Sequence, residues 1–395
     1  MFVSILLLCV FIFFIILHLK SQRPNNFPPG PPVLPLLGNI LQLNLENPLK
    51  DFERLRKSYG DVYSIFIGRK PAVVINGMKA VKEAIVTKAT DFAGRPQDMF
   101  INEVTQRKGV IMADYGSSWR EHRRFHANLM SSTNQKVKPS LTYLSLQLYD
   151  TFPVIRHLPL PFQKKAFQKS NHFFRYYVLD NGSSSFSEEQ LIMNSLDLHG
   201  AGTDTTSNSL LTGFLYLMNY PHIQERCQQE IDRVLEGNCQ ASFEDRHKMP
   251  YTQAVIHEVQ RVANTVPTAL HCTTRDTELM GYSIPKGTLI IENLTSVLNE
   301  EGQWKFPHEF NPENFLNDQG EFVKPEAFMP FSAGPRVCLG EGLARMELFL
   351  MMVTLLRKFK FIWPEEAGEP DFTQVYGITM SPKPYCMKVQ LRAPQ

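Results

Sequence analysis

One predicted helix sets the scale of this chain. It opens at Ser187-Glu-Glu-Gln190, a serine followed three residues later by glutamine, the reciprocal capping pattern of a helix N-terminus. It runs without proline to about Met218, just before Pro221. Roughly 32 residues at about 1.5 Å each make a rod of about 48 Å, long enough to cross an entire domain. A fold built on such a rod is mostly helical and must wrap it. With 395 residues, 43% of them hydrophobic, the chain has ample material for that core.

The β portion is small. Apolar residues alternate from Val62 to Val74 around Gly68 and Pro71, which predicts a β-hairpin. A second hairpin is expected in GYSIPKGTLII, turning at Pro285, Lys286 and Gly287. Repeats are absent, and so is the alternation of strand and helix that a parallel sheet requires. The fold class is therefore mainly α with a small β portion, α+β.

From Met1 to Leu17 the chain is apolar and uncharged, at the short end of what spans a bilayer as a helix. A cleaved signal peptide is the rival reading, but no basic residue precedes the run and no small-x-small site ends it. Lys20 and Arg23 follow, which places the rest of the chain in the cytoplasm. Residues 1–20 are thus read as a transmembrane signal-anchor helix. Residues 21–36, with Pro28, Pro29, Pro31 and Pro32, are read as a stiff proline-rich tether, and residues 37–395 as the catalytic domain. Two glycosylation sequons, at Asn181 and Asn293, would go unused on the cytoplasmic side. The formal charge of +2 gives no field that would recruit nucleic acid, and the six cysteines form no CxxC pair. Such cysteine usage suits a reducing compartment.

Four constellations carry chemistry. The first is FSAGPRVCLG, residues 331–340, where Cys338 lies between Arg336 and Gly340 at the mouth of an apolar helix. A thiolate is a strong iron ligand, and a helix N-terminus lowers a thiol's pKa. Gly334 and Gly340 would let the backbone approach a flat cofactor, with Arg336 meeting an anionic group on it. The plainer alternative is a small buried hydrophobe. The neighbouring Gly340-Glu-Gly342 mimics half of a dinucleotide fingerprint, but no strand precedes it and the third glycine is missing.

The second is AGTDTT, residues 201–206, on the long helix. Gly200 and Gly202 weaken a helix by about 1 kcal/mol each, and with Asp204, Thr205 and Thr206 they suggest a local opening where a ligand meets a hydroxyl and an acid. Close helix packing, with hydroxyls bonding back to the preceding turn, is the alternative. The third is HEVQR, where Glu258 and Arg261 share one helix face as an ion pair, either structural or merely solvated. The fourth is WREHRR, where Trp119 and Arg123 stand one turn apart and could address a carboxylate together, or simply form a basic surface.

In this order the four resemble the cytochrome P-450 superfamily. FSAGPRVCLG matches its F-x-x-G-x-R-x-C-x-G loop at Phe331, Gly334, Arg336, Cys338 and Gly340. AGTDTT is similar to its oxygen-activating helix, HEVQR to its E-x-x-R helix and WREHRR to its W-x-x-x-R helix. The apolar N-terminus, the PPGPP segment, FAGRP at 92–96 and FNPENF at 310–315 resemble the microsomal, vertebrate family 2 branch.

The resemblance implies a haem b whose iron takes the Cys338 thiolate as proximal ligand. It implies that Arg95, Trp119, Arg123, His271 and Arg336 hold the propionates. Thr205 and Asp204 would organise water and deliver protons during oxygen activation. The expected reaction is insertion of one oxygen atom from O2 into a lipophilic substrate: a fatty acid, steroid or foreign compound. Electrons would come from NADPH through a separate membrane-bound reductase, with cytochrome b5 as a further partner, and the location would be the endoplasmic reticulum membrane. The basic residues Arg120, Arg123, Arg124, Arg357, Lys358 and Lys360 offer a docking face for an acidic partner.

The chain departs from the family pattern in places. Only 85 residues separate Trp119 from Asp204, about a hundred fewer than the family places there, so the catalytic domain reads as truncated between about 125 and 186. Asn314 stands where arginine or histidine usually completes the cluster with Glu258 and Arg261. The segment from Pro267 to His271 is one residue short, and Gly200 replaces a bulkier residue. A second function class follows: a membrane-tethered, catalytically silent variant with impaired haem binding. An isomerase that needs no reductase is disfavoured by Asp204 and Thr205.

Overall fold

The computed structural model describes residues 11–12, 23–136, 187–236 and 240–393. The signal-anchor reading of residues 1–20 falls almost wholly outside these, and among the described residues no helix is long and apolar enough to cross a membrane. The segment read as truncated, 125–186, is described only up to residue 136.

Helix α1 (Leu49–Tyr59) leads into the hairpin of β1 (Val62–Ile67) and β2 (Lys70–Ile75), paired antiparallel as the alternation predicts. Short helices α2 (Gly77–Lys82) and α3 (Phe100–Val104) lead to α4 (Ser117–Lys136), which carries the tryptophan–arginine motif. The long helix is α5, Glu188–Asn219, an unbroken 32 residues. Ser187 caps it by accepting the Gln190 amide at 3.2 Å. The Gln190 side chain does not close the capping box; its amide donates to the Gly109 carbonyl at 3.0 Å and so ties the helix start to the preceding loop.

Helices α6 (Pro221–Val234) and α7 (Pro250–Ala263) each start at a proline, whose missing N–H costs nothing at that position. Past the short α8 (Leu294–Leu298) comes α9 (Glu341–Lys358), the apolar helix after the cysteine loop, which packs with them around the second half of α5. Leu210, Phe214, Leu217, Val255, Val259, Phe349 and Val353 form the centre of this core.

The main sheet has the order β1-β2-β6-β3, with β3 at Thr268–Cys272 and β6 at Leu289–Asn293. The β2–β6 pair is parallel and the outer pairs are antiparallel. The second expected hairpin is corrected here. Both strands and the turn exist, but β5 (Tyr282–Ile284) pairs back with β4 (Thr277–Leu279), while β6 crosses into the main sheet. The reason lies in the turn. Gly287, at φ +79°, donates its amide to the Thr273 carbonyl, which swings the chain from one sheet to the other.

The proline segment is not a free tether. Ser64 donates its amide to Pro29 and its hydroxyl to Pro28, both at 2.7 Å, and Phe27 is buried in the core. A Cβ on Gly30 would lie 1.9 Å from the Ser64 carbonyl oxygen, so this stretch is docked on β1 as part of the domain.

Candidate functional site

The cysteine loop turns through a short 3-10 segment at Gly334–Arg336, and the Cys338 amide closes it on the Phe331 carbonyl at 2.9 Å. Gly334 has φ +67°, and a Cβ there would sit 1.9 Å from the Ile85 carbonyl oxygen. Its glycine is therefore demanded by packing against the turn at 83–87, not by a flat ligand. Gly340 is different: nothing lies within 4 Å of its Cβ position, so the backbone there is open to close approach.

Cys338 is exposed on one side and enclosed by protein on the others. Loss of hydration is the largest influence and raises its thiol above the ordinary value. The amides of Gly340 and Glu341, at the start of α9, and the Arg123 charge pull the other way. The expected lowering by a helix N-terminus is present but outweighed.

Four of the expected anion-binding groups come together. Trp119 is buried against two guanidiniums, with Arg336 4.0 Å and Arg123 5.5 Å from its ring centroid. Arg123 donates to the Val337 carbonyl, next to Cys338. Arg336 donates to the carbonyls of Ala93 and Ala113, at 2.8 and 2.9 Å. Arg95 donates to the carbonyls of Ile111 (2.9 Å) and Leu270. Burial holds Arg95 down to about 10, with the Glu292 charge pulling it back up and Arg123 adding to the fall; burial and then the Arg95 charge hold Arg336 down to about 8. Guanidiniums stay charged all the same, so the depression marks buried cations that lack enough counter-charge of their own. A thiol facing an open glycine, beside clustered guanidiniums, is a donor set that fits a metal macrocycle bearing carboxylates.

Two expectations change in detail. The Trp119 indole N–H addresses no outside carboxylate, because it donates to the Val110 carbonyl at 2.9 Å. That carbonyl is positioned by Asp197, whose Oδ2 accepts the amides of Val110 and Ile111 at 2.7 and 3.0 Å. His271 is buried, with Nδ1 donating to the Phe92 carbonyl at 2.9 Å and Nε2 lying 3.3 Å from the Glu292 carboxylate. Both nitrogens are thus held within the protein.

On α5, Thr205 Oγ1 donates back to the Ala201 carbonyl at 2.5 Å. Asp204, exposed, accepts the Thr379 hydroxyl and the Asn208 amide, the latter at 3.3 Å. The helix does not open at Gly200 and Gly202, and among the described residues nothing lies within 4 Å of the Cβ position of either.

Glu258 and Arg261 are no surface pair. They are 0% and 1% exposed and joined by two hydrogen bonds of 2.7 Å. Arg261 also donates to the carbonyls of Leu298, Pro307 and Glu309. Asn314 completes the cluster without charge, its amide donating to both Glu258 oxygens at 3.2 and 3.3 Å.

Sequence reasoning missed Asp197 and Glu292. The first is an acid about one turn before the glycines of α5, and the second a lone charge in the apolar strand LIIEN. A charged residue inside an apolar strand is itself a signal, because it is buried only with partners.

Comparisons with known proteins agree with this geometry. The sequence model described as Cytochrome P450 matches residues 28–152 and 162–389. The chain is 35% identical to Cytochrome P450 2K1 of Oncorhynchus mykiss over 495 aligned positions, covering 97% of this chain and 96% of that protein. It is 35% identical to Cytochrome P450 2D6 of Homo sapiens, with 94% of each chain covered. It is 34% identical to the Vitamin D(3) 25-hydroxylase of Sus scrofa, with 97% of each covered. The trout alignment, at 495 positions against 395 residues here, leaves at least 100 positions without a residue in this chain.

Proposed function

This chain belongs to the cytochrome P450 family, and on that footing we propose that it is a membrane-tethered haem-thiolate monooxygenase with Cys338 as the proximal ligand. The family's cofactor is haem b, with electrons drawn from NADPH through a reductase, and its substrates are lipophilic molecules of the steroid and xenobiotic kind. Bound haem supplies reduction of O2 and transfer of one of its atoms to a C–H bond or alkene, the other atom leaving as water.

The chain's own residues do the rest. Cys338 offers a thiol whose charge, once formed, faces Arg123 and the first amides of α9. Arg95, Arg123 and Arg336 offer positive charge to the cofactor's carboxylates, and the Trp119 ring lies against two of them. Phe331 holds the loop through its carbonyl, and Gly340 leaves room for a ring face. Asp204, in contact with water and bonded to Thr379, takes up protons, and Thr205 beside it holds a water with its remaining lone pairs. Glu258 and Arg261 brace α7 against the chain that leads to the cysteine loop.

The observation that carries the reading is the convergence of three guanidiniums and Trp119 on the loop of Cys338. The reduced, CO-bound spectrum of the membrane-expressed protein tests it. A thiolate-type Soret band is expected, and it should vanish in Cys338→Ser. No such band in the parent protein would sink the proposal.

Residues 1–20 would anchor the chain in the endoplasmic reticulum membrane, with the catalytic part facing the cytosol. Asn293 is buried and donates to Asn76 at 2.8 Å, so its sequon is closed in the folded protein whichever side it faces. Cytochrome b5 and the reductase would dock on the basic face that includes the exposed Arg120 and Arg124.

A second reading, a catalytically silent tethered variant, is favoured by the missing 100 alignment positions and by apolar residues left exposed on α3 and α5. Turnover of a lipophilic probe with added reductase would eliminate it. A longer transcript across residues 125–186 would assign the missing length to splicing.

A further inference from the structure

The Glu292 carboxylate is wholly buried, in the central strand of the main sheet, and neither the family motifs nor the expected reaction gives it a task. A buried carboxylate is costly unless its oxygens are occupied by donors, so its neighbours are informative. Ser332 Oγ lies 3.2 and 3.1 Å from its two oxygens, and the Arg95 guanidinium feels its charge. His271 Nε2, two residues along on the same face of the adjoining strand, lies 3.3 Å away.

Ser332 is the residue that matters most here. It follows Phe331 and stands at φ +56°, the left-handed region that a non-glycine residue enters only when held there. Its amide donates to the Met329 carbonyl at 3.0 Å, and its side chain reaches Glu292. That conformation aims the preceding Phe331 carbonyl at the Cys338 amide, 2.9 Å away. A continuous path therefore runs from the sheet to the thiol: Glu292, the Ser332 hydroxyl, the left-handed turn, the Phe331 carbonyl, the Cys338 amide.

We infer that Glu292 is a positioning residue that latches the cysteine loop to the sheet through Ser332 and so fixes where the Cys338 sulfur stands. The inference rests on the functional reading only in its consequence for haem; the latch itself is a property of the polypeptide. It assigns the strain at Ser332 a purpose and gives the buried carboxylate a hydroxyl donor.

The test compares full-length parent, Ser332→Ala, Ser332→Gly and Glu292→Gln by two readouts. One is amide hydrogen exchange over residues 331–340, which needs no haem, and the other is the thiolate-type fraction of the reduced CO spectrum. A hydrogen bond to a charged group is worth roughly tenfold or more in a local opening equilibrium. Ser332→Ala and Ser332→Gly should therefore each speed exchange of the Cys338 amide by about tenfold and lower the thiolate fraction. Glycine relieves the backbone strain but lacks the hydroxyl, so matching losses in both variants identify the hydroxyl as the latch. Glu292→Gln, which can still accept from Ser332 through its carbonyl, should fall between parent and Ser332→Ala. Parent-like exchange in both Ser332 variants would overturn the inference, as would a loss in alanine that glycine restores. If the parent shows no thiolate band while the exchange differences persist, the functional reading fails and the latch stands.

Discussion

The two halves of the central helix α5 have the same backbone and opposite surroundings. In the C-terminal half, Phe214 and Leu217 are 1% and 0% exposed, enclosed by α6, α7 and α9. In the N-terminal half, Ile192 and Leu196 are 49% and 59% exposed. Apolar side chains occur in both halves, so the burial of each is set by what packs on the helix as well as by the helix itself. The motif AGTDTT lies at the junction, with Asp204 exposed and Thr206 buried. The chemistry proposed for Asp204 and Thr205 thus sits where the sealed half ends.

The comparison can be broken most forcefully at its sealed side. Arg261→Ala strands the Glu258 carboxylate without its cation, which costs about 3–5 kcal/mol for a buried pair. Chemical denaturation should show that loss, and a change under about 1 kcal/mol would mean that the E-x-x-R cluster is not braced as described.

The same substitution made in both halves sharpens the contrast. Leu217→Ala should destabilise by about 2–5 kcal/mol, since it opens a cavity in close-packed surroundings. Leu196→Ala, by contrast, should stay within about 0.5 kcal/mol. Equal effects at the two positions would show that the N-terminal half is covered in solution.

A pH titration probes the sealed side by charge. Burial pushes the Glu347 carboxyl, on α9, up from 4.5 to about 7. Between those values the unfolded chain releases the proton while the folded chain keeps it. Stability is therefore full below pH 4.5 and declines as pH rises towards 7, by about 3 kcal/mol for a shift of this size. Glu347→Gln should flatten that decline, and a slope that survives the substitution would assign it to other groups.

The smallest effect expected is on the open side. Leu196→Glu should leave unfolding nearly unchanged while lowering self-association in gel filtration, because it removes an exposed apolar side chain. A marked loss of stability would instead reveal a packed partner for that flank.

Much of the site was readable from residue spacing. Local rules gave the length and cap of α5, the first hairpin and the four motifs, because caps, alternation and fixed loop spacings are carried by neighbours in sequence. The residues that were misread depend on contacts beyond their near neighbours in sequence. The docking of Pro28 and Pro29 on Ser64 and the crossing of β6 into the main sheet join segments far apart in the chain, and the capture of the Trp119 proton by Val110 depends on how the loop before α4 folds back.

By itself the sequence determined which groups are available: a thiol in a glycine-bounded loop, three arginines and a tryptophan, an acid and a hydroxyl on one long helix. Local propensity and spacing suffice for that. Only the tertiary structure decided how they are used. It turned His271 inward against Glu292, enclosed Glu258 with Arg261 and Asn314, and set Ser332 in a left-handed turn above a buried carboxylate. Burial, repulsion between charges and hydrogen-bond pairing act through space, so no reading along the chain contains them.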